Sequence, residues 1–290
     1  MWKAVRRSPA GMLGWVVFMF FVLTGTVGQF ATPFDPIAQN LADRLAPPGA
    51  PASGGGVHLA GTDQLGRDIL SRLIAGGRIT LAVGLLTVFV GGTVGCVLGV
   101  VAGYYGGWPE RLIMRLADIQ LAFPFVLLAL IVIAVLGPSL VNLILVLAFT
   151  SWVDYARVVR GEVLSVRRRE FVEAARAIGA RDARLLARHV FPNVYTTIIV
   201  IATLQLAKIV ILEASLSFLG LGVQPPTPDW GRMLAEGRDF VATAWWLAAF
   251  PGLAILLLVL SVNLMGDWLG TYLDPRLRTL GRANAREVSA

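Results

Sequence analysis

Long apolar runs separated by short charged segments set the rhythm of this chain. A membrane-crossing helix needs about 20 mostly apolar residues. Six stretches supply them, at about 12–31, 79–104, 113–136, 140–158, 194–217 and 242–266. The uncharged run from Ile119 to Val153 is too long for one span, and Gly137-Pro138-Ser139 divides it. The period-two alternation of a membrane β-barrel is absent. The pattern therefore predicts an all-α membrane protein with six transmembrane helices. The first run exceeds the roughly 7–15-residue core of a cleaved signal peptide and is expected to be a retained anchor. Glycines at 84, 91, 92, 95, 99 and 103 are too many for a stable soluble helix, but in a bilayer they allow close helix approach. Residues 32–78 hold five prolines and the stretch Ser53-Gly54-Gly55-Gly56, which reads as a flexible linker in an extramembrane loop. The expected organisation is an N-terminus and first span over 1–31, a loop over 32–78, a five-helix core over 79–268 and a tail over 269–290. A polar segment, 159–193, interrupts the core between the fourth and fifth spans.

Composition agrees. Hydrophobic residues make up 56% of the chain and charged residues 15%, against about 25% charge in a soluble domain. Mean hydropathy is +0.72. The net charge of +7 would point a soluble protein toward nucleic acid, but here the cations cluster at the ends of apolar runs. With the N-terminus inside, eighteen of the 25 cations fall on the cytoplasmic side, as the positive-inside rule requires. Both termini are expected in the cytoplasm of a multi-pass protein. Cys96 is the single cysteine, and His58 and His189 are far apart. No disulfide, metal site or catalytic cluster is expected. Lys3 precedes Ala4 and Lys208 precedes Ile209, so neither fits the G-x-x-x-x-G-K-S/T loop that cradles ATP phosphates. The chain is expected to be neither an enzyme nor a binder of any cofactor.

The polar segment is the most informative. Phe171, Ala174, Ala175 and Ile178 fall on one helical face, with Arg167, Arg168, Arg169, Glu173 and Arg176 largely off it. Gly179 suits a left-handed cap. A second short helix is expected from Asp182, closed by Pro192. The spacing admits two readings: a helix seated in a partner's groove, or one lying on the bilayer with arginines at lipid phosphates.

The string Glu173-Ala174-Ala175, three residues, Gly179, nine residues and an ending at Pro192 resembles the EAA loop of ABC importer permeases. His189 and Phe191 stand where the general pattern has Ile and Leu, and this form is similar to the peptide-transport branch. GTDQLGRDILSRLIAGGR at 61–78, EASLSFLGLGVQPPTPDWGRML at 213–234 and LDPRLR at 273–278 resemble further segments of that branch. The chain thus looks like the second (C-type) permease subunit of a dipeptide, oligopeptide or nickel importer.

This resemblance implies a bacterial or archaeal inner-membrane complex. Its other members would be a related permease subunit, two ATPase subunits carrying ATP and magnesium, and an extracytoplasmic solute-binding protein. It assigns Glu173, Ala174, Ala175 and Gly179 to ATPase docking. A cap alone is the plainer reading of Gly179, and Arg176 and Arg181 could meet either acidic ATPase residues or lipid. A nickel-chelate importer subunit and a stand-alone secondary transporter are the alternative functions.

Asp118, Lys208 and Glu213 are ionisable groups in or near apolar spans, where such residues commonly face a water-filled path or the bundle interior. Lys208 lies roughly 21 Å along its helix from Val194. Its options are the translocation path, a buried interhelical pair, or snorkelling. Glu213 reads first as structural, and Asp118 as path-lining or simply solvated. In the loops, Asp63, Arg67, Asp68 and Trp230 are candidates for contact with the binding protein. A self-paired surface helix with Asp68 and Arg72 at i, i+4 and an interfacial Trp230 are the plainer readings.

Overall fold

The computed structural model describes residues 8–273. Lys3, Arg6, Arg7 and all of the LDPRLR string but Leu273 lie outside them. Helix α1 spans Pro9–Thr26, capped by the Ser8 side chain. A loop follows, with a small antiparallel hairpin, β1 Ala50–Pro51 and β2 Val57–His58, in which Ala50 faces His58. The Gly-rich stretch is the turn of that hairpin, closed by bonds between Ala52 and Gly56 and between Gly55 and Ala52.

Helix α2, Ile69–Tyr105, starts ten residues before the expected span. The Asp68 carboxylate caps it, accepting from Ser71 N at 2.8 Å, which satisfies one of the amides a helix start leaves open. Helices α3 (Gly107–Leu121) and α4 (Phe125–Leu136) follow, then α5 (Leu140–Val166) and the short α6 (Glu170–Ala177). Helix α7 is one continuous rod, Asp182–Phe218. The last two helices are α8 (Trp230–Gly237) and α9 (Trp246–Leu273).

Among the described residues, five helices (α1, α2, α5, α7, α9) are each long and apolar enough to cross a membrane. The pair α3–α4 supplies a sixth only as a broken span, bent by 88°. This corrects the single straight helix expected at 113–136. Pro124 has no amide proton and pushes the preceding Phe123 away from helical backbone, so α3 ends by folding Ala122 N onto the Asp118 and Ile119 carbonyls. The second short helix expected after Asp182 is also corrected, because Pro192 does not end it. The stretch Leu186–Val190 is a π turn, with Phe191 N bonded to the Leu186 carbonyl. That wider turn absorbs the missing amide and ring of a proline at the first turn of the following α segment.

The α2–α5 contact organises the core. Gly91, Gly95, Gly99 and Gly103 recur every fourth residue and lie against the carbonyls of Ala148, Trp152, Ala156 and Arg160, which recur likewise on α5. A Cβ at Gly99 would stand 2.7 Å from the Ala156 oxygen, so only glycine lets these backbones touch.

Candidate functional site

Three regions gather the polar chemistry of the bundle. The first is the end where α2 stops and α6 and α7 meet. Val172 is wholly buried there with Val163, Val166, Leu185 and Val190. The opposite side of α6 is uncovered: Phe171 is 43% and Ile178 88% exposed, with Glu173 and Ala174 beside them. An apolar stripe that the chain's own core does not use is unusual for an amphipathic helix, which normally buries it. The turn after it is rigid. Gly179 sits at φ +83°, its amide donates to the Arg176 carbonyl, and the Ala180 amide donates to the Ala175 carbonyl. This double-bonded termination is the Schellman geometry.

Three contacts hold this end of the bundle together. The Tyr104 hydroxyl donates to Asp182 Oδ1 at 2.6 Å. Arg167 Nη1 donates to the Gly103 and Tyr104 carbonyls at 3.0 and 2.7 Å. The Arg176 guanidinium lies 5.8 Å from the centre of the Tyr104 ring, within cation–π range. Of the six residues expected to dock an ATPase, Glu173, Ala174, Gly179 and Arg181 are exposed, Ala175 is half-buried, and Arg176 reaches back to α2.

The second region lies where α5 meets α7, on a side of the bundle left partly open. Lys208 Nζ donates to Asp154 Oδ2 at 2.7 Å, and Gln205 Nε2 donates to the same oxygen at 2.8 Å. The pair links α5 to α7 beside a cavity of about 150 Å³ that Gln120, Thr150 and Phe123 also line. Gln120 is held by Trp152 Nε1, which donates to its side-chain oxygen at 2.7 Å. The sequence reading missed Asp154, Gln120 and Gln205. All three are polar residues within otherwise apolar spans, the same signal that singled out Lys208.

Glu213, read first as structural and second as a path residue, does not line this cavity. It is wholly buried, with the Ser217 hydroxyl 3.1 Å from its Oε1 and 2.7 Å from Asp229 Oδ2, which ties α7 to the start of α8. Asp118 also lies outside the cavity and makes an exposed 2.6 Å pair with Arg157.

At the loop end, the expected contact residues for a binding protein are interior, which corrects that expectation. Asp63, Arg67, Asp68 and Trp230 are each no more than 6% exposed. Arg67 Nε pairs with Asp63 at 2.6 Å, and Arg67 and Arg72 both reach Glu236 Oε2 of α8 at 3.1 Å. Asp68 pairs with His58, at 2.9 Å, and not with Arg72. Trp230 wedges against Gly76 and Gly77, donating its indole N–H to the Leu73 carbonyl at 2.8 Å. Buried charges persist where they are mutually paired, so the cluster reads as a clamp between α2 and α8.

Comparison with known proteins follows the same lines. Residues 95–279 match the family described as binding-protein-dependent transport system inner membrane component. Residues 1–48 match the N-terminal TM domain of oligopeptide transport permease C. The chain is 42% identical over 277 residues to the di/tripeptide transport system permease protein DppC of Pseudomonas aeruginosa (strain UCBPP-PA14), covering 96% of this chain and 91% of that one. It is 43% identical to the glutathione transport system permease protein GsiD of Escherichia coli O157:H7, covering 96% and 90%. Among solved structures, the inward-facing MetNI methionine ABC transporter aligns with a TM-score of 0.59 at 20% identity, covering 71% of this chain and 98% of that one. This last likeness concerns the fold alone.

Proposed function

Because the chain belongs to the family of binding-protein-dependent transport system inner membrane components, we propose that it forms half of the translocation pathway of an ABC importer for short peptides. A related permease subunit supplies the other half. Two ATPase subunits bind ATP and magnesium at the α6 end, and a solute-binding protein delivers cargo at the loop end. Both chain termini then lie in the cytoplasm of a bacterium or archaeon. The names of the relatives favour di- and tripeptides, glutathione being itself a tripeptide, over a nickel chelate.

The observation that carries this reading is the uncovered face of α6. Phe171, Ala174 and Ile178 are held outward by a buried Val172 and a double-bonded turn, the arrangement of a helix built to seat in a groove. The stand-alone transporter reading gives this face no occupant.

The test is co-purification from detergent with and without Glu173→Arg and Ile178→Asp. Recovery of a P-loop ATPase with the wild type and its loss with both variants supports docking. Equal ATPase recovery with all three proteins would overturn it.

A further inference from the structure

The Asp154–Lys208 pair combines depth with exposure. Asp154 lies about 21 Å along α5 from its start, in a helix that crosses a hydrocarbon core about 30 Å thick. Lys208 lies about 15 Å from the Phe218 end of α7. Yet the Lys208 side chain is 55% exposed and that of Asp154 33%. Charges at that depth do not face lipid chains; they face other protein or water. The cavity beside them has an apolar wall that includes Phe125 and Leu212, and polar groups from Gln120, Thr150 and Gln205.

A short peptide is a zwitterion with apolar or polar side chains. To Lys208, the Asp154 carboxylate is the same chemical group as a peptide's terminal carboxylate. To Asp154, the Lys208 ammonium is the same as a peptide's amino terminus. We infer that this pair is a binding site for the charged termini of a peptide in transit, closed on itself when no peptide is present and opened by exchange of partners. Gln205, which donates to Asp154 Oδ2, holds the carboxylate in place while Lys208 leaves it. The inference rests on the peptide-import reading above.

The test uses the whole complex, with its ATPases and binding protein, in proteoliposomes, and follows uptake of labelled dialanine and trialanine. Two double variants are compared with wild type. The neutral pair is Asp154→Asn with Lys208→Gln. The swapped pair is Asp154→Lys with Lys208→Asp, which sets a lysine against the Gln205 donor. Both are expected to assemble and to hydrolyse ATP within about twofold of wild type, with uptake lowered about tenfold or more, as loss of charge-assisted bonds implies. Uptake within about twofold of wild type in either variant would make the pair a structural bridge and overturn the inference. Failure of the neutral pair to assemble would do the same. If the wild-type complex hydrolyses ATP but moves neither peptide, the peptide reading itself fails and the pair's role falls with it. If the wild type and both variants all move them, only the pair's role fails.

Discussion

Tyr104 and Asp182 are joined by a 2.6 Å hydrogen bond that ties the penultimate residue of α2 to the first residue of α7. The bond sits beside the uncovered face of α6, where a partner's movement would enter the bundle. Tyr104→Phe keeps the ring under Arg176 and removes the hydroxyl that holds Asp182, a loss of about 1 kcal/mol. The variant is expected to fold and to bind its ATPases, while peptide uptake per ATP hydrolysed falls severalfold. An unchanged ratio would show that the bond serves only the fold.

The glycine stripe of α2 makes a sharper prediction about stability. Gly99→Leu pushes a side chain into the Ala156 carbonyl, and overpacking of this kind costs about 1–3 kcal/mol or more. Little monodisperse protein should survive size-exclusion chromatography in detergent. Gly161, on α5, has open space where a Cβ would sit, so Gly161→Ala should elute like wild type. Similar behaviour of the two variants would remove the backbone contact as the organising feature.

Glu236 is the shared acceptor for Arg67 and Arg72. Its removal by Glu236→Ala leaves two buried guanidinium groups with Asp63 alone between them. Breaking a buried pair on one side typically costs about 3–5 kcal/mol. The midpoint of thermal unfolding in detergent should fall clearly further than for Asp239→Ala, whose exposed pair with Arg238 is worth less than about 1 kcal/mol. Equal midpoints would mean that the clamp adds nothing.

Acid should test the loop between α1 and α2. The Ser53 hydroxyl donates to Asp43 Oδ1 at 2.5 Å, and this bond, aided by the Ser53 amide and His58, holds the Asp43 carboxyl below its ordinary value of 3.8. A carboxylate with a lowered folded pKa contributes stability that is complete above the unfolded pKa and is lost as pH falls through the folded one. The loop should therefore resist an acid-active protease down to pH 3.8 and lose that resistance only below it. Ser53→Ala should move the loss to higher pH. An unmoved profile would assign the acid response to another group.

The local features of this structure were legible in the sequence because each is set within a few residues. Gly179 is a cap because only glycine readily takes φ +83° there, and the spacing of Phe171, Ala174 and Ile178 marks one face whatever covers it. The four-residue spacing of glycines likewise announces a contact before its partner helix is known. Relations between distant segments were not legible. Asp154 meets Lys208 across 54 residues and Arg67 meets Glu236 across 169, and no periodicity encodes which helices become neighbours. The loop charges looked solvent-facing for the same reason: their burial depends on α8 folding over them. The bend at Pro124 was hidden by the uniform apolarity around it, which a membrane rewards regardless of backbone direction.

One consequence of the π turn concerns connection. By widening instead of breaking at Pro192, it leaves α7 a single helix of 37 residues, about 55 Å long, with Asp182 at one tip, Lys208 along its shaft and Glu213 near the other tip. The end beside α6, the ion pair with Asp154 and the buried anchor to α8 thus belong to one element, joined without an intervening loop.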